Sequence, residues 1–403
     1  MAKTPNIRFK GFSEEWQEKP LAAVSDKVTE KNLNRAFTET FTNSAEFGIM
    51  SQRDFFDHDI SNADNISGYY VVKDNDFVYN PRISKLAPVG PINRNKLGRI
   101  GIVSPLYTVF RIKNINIEYL EIFFRQNSWN KYMTFHGNTG ARLDRFSIND
   151  EVFWQMPILY PHKIEQQKIS TLFSNVSIII SQRESELEKL KNIKRALLEK
   201  LFPQNGQTVP AIRFKGFTGE WGGKIMGDVF TSFEERNHPE LPVLAATQDR
   251  GMVIREDIGY SIAHNRSNEV TYKRVLPGQF VIHLRSFQGG FAHSNVEGIT
   301  SPAYDIFGFK EPQAHNDYYW KYLFSSAWFI KCLGKVTYGI RDGRNISYDE
   351  FLELTFRVPL KTEQTKIAKL LKTLSNLLSL RERQLTLLKH TKQALLEQMF
   401  VNE

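Results

Sequence analysis

The chain has 403 residues, 41% hydrophobic and 13% aromatic, which is enough for two to three domains with real cores; two is the starting count. Its one cysteine, Cys332, excludes an intrachain disulfide or a multi-cysteine metal site. No run approaches the roughly 18 apolar residues of a membrane span, and the opening MAKTPNIRFKGF lacks the apolar stretch of a secretion signal, so the expected compartment is the cytoplasm. Lys plus Arg number 53 against 44 Asp plus Glu, and a net charge of +9 favours a polyanionic partner.

The first recognisable element is a short motif, IRFKGFSEEW, from Ile7 to Trp16. Beyond it, up to about residue 162, short β-branched and aromatic runs alternate with turn signals and one helical patch, Ile117 to Lys131; the pattern reads as an α/β or α+β domain. Ser51, Gln52 and Arg53 form a candidate recognition edge, because Gln and Arg are the side chains suited to adenine and guanine. Asn80 to Arg99, NPRISKLAPVGPINRNKLGR, carries Arg82, Lys85, Arg94, Lys96 and Arg99 with no acidic residue, and its three prolines and two glycines make it a loop. Such a basic loop suits DNA phosphates and guanine edges. A solvated surface loop is the plainer alternative. Arg142, two residues after a glycine, is a candidate phosphate ligand.

From residue 163 to 202 the period changes. Ile169, Val176, Leu190 and Leu197 fall on one seven-residue row and Phe173, Ile180, Leu187 and Leu201 on another, which is a coiled-coil seam; Arg183 and Lys194 interrupt it. A helix of this length spans about 57 Å. Pro203, Gly206 and Pro210 end it and mark residues 203–210 as a linker.

The chain then repeats itself. Ile212 to Trp221 reads IRFKGFTGEW, agreeing with the opening motif at eight of ten positions. Residues 211–360 form a second domain of the same kind, with a helical patch from Asn316 to Lys331. Here Thr247, Gln248, Asp249 and Arg250 are taken as the counterpart of Ser51 to Arg53. The stretch Ile282 to Glu297, matching the basic loop, offers His283, Arg285, Gln288, His293 and Asn295, which would read different bases. Arg341 mirrors Arg142. Residues 361–403 hold the second helix; Lys361 to Phe400 matches Lys163 to Phe202 at 19 of 40 positions without a gap. Its rows are Ile367, Leu374, Leu388, Leu395 and Leu371, Leu378, Leu385, Met399, interrupted by Arg381 and Lys392 at the same places as the first copy.

A constant frame around a divergent interior is expected when two copies hold the same place relative to a common partner but contact different things; neutral drift after duplication is the alternative. Two helices sharing one seam predict an antiparallel coiled coil about a pseudo-two-fold axis, with each helix packing on its own domain as the competing arrangement. The chain has no G-x-x-x-x-G-K-[ST] loop, no G-x-G-x-x-G after a strand, no H-E-x-x-H and no G-x-S-x-G, which together with the duplication points to a binding module with no metal.

The opening PxIRFxGFxxxW, repeated mid-chain after a long helix that ends KxALLExxF, resembles the specificity subunits of Type I restriction-modification systems over essentially the whole chain. Glu165-Gln166 and Glu363-Gln364 match the usual start of the family's helix, and Lys194 to Phe202 and Lys392 to Phe400 its end. The resemblance implies two target-recognition domains, each reading half of a bipartite site on double-stranded DNA. The helices would set the gap, and with the IRFKGF segments they would dock two modification subunits. It also implies that S-adenosylmethionine belongs to the modification subunits, that ATP and Mg belong to two restriction subunits, and that this chain holds no cofactor and catalyses nothing. A stand-alone DNA methyltransferase and a coiled-coil structural adaptor are the competing functions.

Overall fold

A computed structural model describes residues 3–56, 66–139, 144–204, 206–247, 250–258, 266–338 and 345–401. The chain divides into two compact units, Met1–Gln182 with Leu385–Glu403, and Arg183–Gln384. Each unit therefore owns one α/β body, the adjoining half of one long helix and the far half of the other.

The centre of the first unit is a four-stranded antiparallel sheet in the order Ser25–Lys27, Thr108–Ile112, Phe77–Tyr79, Ile92–Arg94. Alternate side chains of a strand face opposite ways, and both faces are covered. Phe77, Tyr79 and Phe110 enter a core with Trp16, Tyr119 and Phe153. Val78 and Val109 enter a second core with Phe41, Val72 and Val103, capped by the hairpin Phe41–Ser44/Gly48–Ser51. The second unit repeats this topology with Phe230–Phe233, Asp305–Phe309, Phe280–Ile282, Ala292–His293 under the hairpin Leu244–Thr247/Gly251–Ile254. The glycine opening the second strand of each hairpin has a left-handed backbone, Gly48 at φ +74° and Gly251 at φ +78°. A Cβ at Gly251 would also lie 2.2 Å from the His293 carbonyl oxygen.

The long helices, Lys163–Lys200 and Lys361–Gln398, run antiparallel to each other in each unit. In the first unit Phe173 meets Phe400, while Lys392 Nζ donates to Ser177 Oγ at 3.0 Å further along. In the second, Leu197 and Leu201 share a core with Ile367 and Leu371, and Lys191 pairs with Glu382 at 3.0 Å. Of the predicted seam, Ile169, Leu187, Ile367 and Leu385 are buried, whereas Val176, Leu190, Leu374, Leu388 and Leu395 are half-buried. The interruptions do not bond across it alike: Arg183 turns to Glu186 and Arg381 to Gln384 on their own helices, while Lys194 is half-buried, its ammonium pushed down by burial against the pull of Glu382.

The two repeated motifs do one structural job each, twice. Arg8 donates a bidentate pair to Glu165, at 2.7 and 2.8 Å, and Arg213 does the same to Glu363 at the same distances. Gln166 accepts from the Asn116 backbone N–H and donates to the Pro161 carbonyl; Gln364 does so with Asn316 and Pro359. Ile7 N–H donates to the Gln398 carbonyl and Ile212 N–H to that of Lys200, so each IRFKGF segment ties the start of one long helix to the end of the other. Trp16 and Trp221 are buried at these junctions against Tyr119 and Tyr319.

Two sequence expectations change. Each helical patch is two helices, Ile117–Phe123 with Ser128–His136 and Asp317–Phe324 with Ala327–Leu333, because Ser326 caps a new start by accepting from the Phe329 N–H, and Trp129 Nε1 ties the first break down at the Phe124 carbonyl. The basic loop is not loop throughout: Ile92–Arg94 is an edge strand of the sheet, paired with Phe77–Tyr79.

Candidate nucleic-acid interface

In the first unit a cleft of about 650 Å³ opens beside the hairpin. Gln52, Arg82 and Lys85, three of the residues singled out from sequence, line it with Asn80, Arg145, Tyr69 and Tyr107. An asparagine network fixes its floor. Asn43 donates to the Val78 and Pro91 carbonyls, Asn80 donates to the Asn43 carbonyl, and Asn93 donates to Asn43 Oδ1 at 2.7 Å. Arg82 sits at the end of the Phe77–Tyr79 strand, where Asn80 Oδ1 accepts its backbone N–H, and its own side chain is exposed. Arg145 reaches the cleft through a backbone bridge to Arg82. Sequence reading passed over it; its place three residues from the marked Arg142 was the available signal.

The rest of the basic stretch is neutralised from elsewhere. Arg94 is held at the sheet edge with 8% of its side chain exposed, by Glu118 at 3.2 Å and Glu121 at 2.9 Å. Lys96 also pairs with Glu121. Arg99 donates bidentate to Glu39, which those hydrogen bonds hold below the usual carboxylate range. Ser51, buried, and the exposed Arg53 act on the same carboxylate, so the two edges predicted separately meet at Glu39. The stretch contains no acid in its own sequence, but folding supplies three.

The second unit builds the corresponding place. His283 occupies the position of Asn80, and its Nδ1 accepts the Arg285 N–H as Asn80 accepts that of Arg82; Arg285 is exposed like Arg82. Burial first, and the Arg285 charge second, push the His283 imidazole down to about 4. His293 takes the position of Arg94 and shares its fate: it is 1% exposed, with Nε2 2.8 Å from Asp317 Oδ2, and burial holds its pKa low. Asn295 is exposed and accepts from Tyr318; Gln288 is exposed on the short helix Ser286–Gly289. Arg250 is exposed at the hairpin turn, its N–H donated to Thr247 Oγ1. Arg142, Gln248 and Arg341 lie outside the described residues.

The pairing of Ser51 to Arg53 with Thr247 to Arg250 is corrected by strand register. Thr247 and Gly251 pair across the hairpin as Ser44 and Gly48 do, so Thr247 corresponds to Ser44 and Arg250 to Phe47. The residue equivalent to Gln52 is Arg255, which the sequence reading did not single out: Gln52 N–H donates to the Thr40 carbonyl and Arg255 N–H to the Val243 carbonyl, and Thr40 and Val243 make equivalent parallel bridges to Ile102 and Ile299. A shared run of polar letters carried the false match.

Among the described residues no three His, Cys, Asp or Glu side chains are placed to hold a metal ion, and no helix is long and apolar enough to cross a membrane. The sequence matches no protein-family model and no curated protein. The structure does have relatives. It is similar to the Type-I restriction-modification system S subunit from M. genitalium, at 11% identity over 99% of this chain and 100% of that one, with a TM-score of 0.57. It is also similar to a chain from a structure addressing complex assembly and conformational transition of the type I R-M system, at 15% identity over 96% and 97% of the two chains, with a TM-score of 0.55. The likeness establishes the fold over essentially the whole chain: two similar mixed α/β bodies and two long paired helices, as the sequence led us to expect.

Proposed function

We propose that this chain is the DNA sequence-specificity subunit of a Type I restriction-modification complex and has no catalysis of its own. Each α/β body reads one half of a bipartite site on double-stranded DNA. The helices set the gap and, with the IRFKGF segments, dock two modification subunits, which carry the S-adenosylmethionine; ATP and Mg serve two restriction subunits in the same assembly. The observation that carries the reading is the doubled unit: one topology and one set of helix latches, twice, with a cleft lined by hydrogen-bonding side chains in the first unit and different hydrogen-bonding side chains at the equivalent places of the second. A duplicated frame with divergent readers is what a split, asymmetric DNA site demands. The net charge of +9, with exposed Arg82 and Arg285 at matching places, suits the phosphates that flank such a site.

The test is single-molecule sequencing of adenine methylation in DNA from cells carrying this chain with a Type I modification subunit, against cells lacking the chain. The expected result is a bipartite methylated motif that appears only with the chain. A stable complex that writes no new motif would favour the coiled-coil adaptor, and S-adenosylmethionine binding by the isolated chain would favour a stand-alone methyltransferase.

A further inference from the structure

At equivalent strand registers the two units share a position whose chemistry alternates while its surroundings do not. Tyr69 and Tyr107 of the first unit correspond to Tyr272 and Tyr304 of the second, being set by equivalent strands and by the same turn, in which Tyr107 N–H donates to Ser104 and Tyr304 N–H to Ser301. Gln52 lines the cleft with both tyrosines of its unit. Arg255 lies within electrostatic reach of Tyr304, which also feels Tyr272 and stands 6.2 Å from the His283 ring, centroid to centroid. The tyrosines are constant; the residue beside them is Gln in one unit and Arg in the other.

Both residues hold hydrogen-bonding atoms that are out of solvent and unmet. The amide oxygen of Gln52 is buried without a donor, and Nε and Nη1 of Arg255 are buried without an acceptor among the described residues. Native interiors rarely leave such groups unpaired, so neither half-buried side chain is settled by the described residues around it. A phosphate only accepts, so it would use just the N–H half of the Gln52 amide. A base edge uses more: adenine presents N6–H and N7 to the two halves of a Gln amide, and guanine presents the acceptors O6 and N7 to Arg donors. Arg82 and Arg285, by contrast, are the same residue at equivalent places and exposed, the pattern of a phosphate contact.

We infer that position 52/255 is a specificity determinant in both units, with Arg255 reading a guanine in one half-site and Gln52 an adenine in the other. The inference rests on the DNA-reading function proposed above. It is tested in the full chain assembled with the modification subunit, by sequencing the methylated motif written by Arg255→Gln, Arg255→Lys and Gln52→Arg. Arg255→Gln and Arg255→Lys are each expected to lower the preference for guanine at one position of one half-site about tenfold, leaving the other half-site unchanged. Gln52→Arg is expected to change an adenine position in the opposite half-site only. Melting curves identify any variant that does not fold, and Gln52→Arg, at the half-buried start of a short helix in the other unit, carries the test if the Arg255 variants do not. An unchanged motif written at evenly reduced efficiency by the folded variants would overturn the inference while leaving the functional reading intact. Failure of the unaltered chain to write any bipartite motif would remove the reading itself.

Discussion

His283 and Asn80 stand at one place in two units and do one local job, accepting the N–H two residues ahead. An imidazole accepts through Nδ1 only when that nitrogen is unprotonated, and the burial that pushes His283 down to about 4 keeps it so at neutral pH. The sign follows. The folded pKa lies below the unfolded value near 6.5, so the unfolded chain takes up the proton first, and stability present above pH 6.5 is lost as pH falls toward 4. The loss from this residue is on the order of 2 kcal/mol. Thermal unfolding followed from pH 7 to pH 4 should show it, and His283→Asn, which installs the residue of the other unit, should flatten that part of the profile. An unaltered slope in the variant would assign the pH dependence elsewhere. The same scale shows why charge in sequence misleads: Arg94, Lys96 and Arg99 lie in an acid-free stretch, yet Glu118, Glu121 and Glu39 reach them from distant parts of the chain.

At the scale of elements, the repeated motifs are latches. Glu165 and Glu363 are 1% and 2% exposed, and each depends on one arginine from an IRFKGF segment. Removing one partner of a buried pair strands the other charge, at a cost of about 3–5 kcal/mol. Arg8→Ala should therefore lower the denaturant midpoint of the first unit strongly, Arg213→Ala that of the second, and adding Glu165→Gln to Arg8→Ala should recover much of the loss. Equal midpoints for Arg8→Ala and the unaltered chain would show that the latch contributes nothing. The helices themselves were legible because seven-residue periodicity is local information. Their polar interruptions were legible only as positions: an α-helix drifts about 20° per heptad from a 3.5-residue repeat, and tertiary packing sends Arg183 to Glu186 on its own helix while half-burying Lys194.

For the whole molecule, the proposed function gives the helices a measurable length. Inserting seven residues at matching points of both helices adds about 10.5 Å to each, and should lengthen the unspecified gap in the methylated motif by about three base pairs. The two half-sites should stay as they were. A gap that does not move would separate spacing from helix length and leave the helices only their role in joining the units. This prediction depends on the duplication being one of architecture, which the identical sheet orders of the two units support.

What the sequence determined by itself was whatever repeats along the chain: two copies of one fold, the long helices, their direction of pairing and the recurring arginine, tryptophan and Glu-Gln positions. Those signals survive because residues doing the same job at the same place in both halves leave the same letters there. Tertiary structure alone decided which side chains face a cleft. Gln52 and Arg255 became counterparts only when hairpin register aligned Ser44 with Thr247, since a shift of a few residues in a strand reassigns every face, and no run of letters carries the register. It likewise decided which basic residues remain available. A charge is free or paired according to what folding brings beside it, and for Arg94 and His293 the carboxylate comes from the helix that follows the sheet.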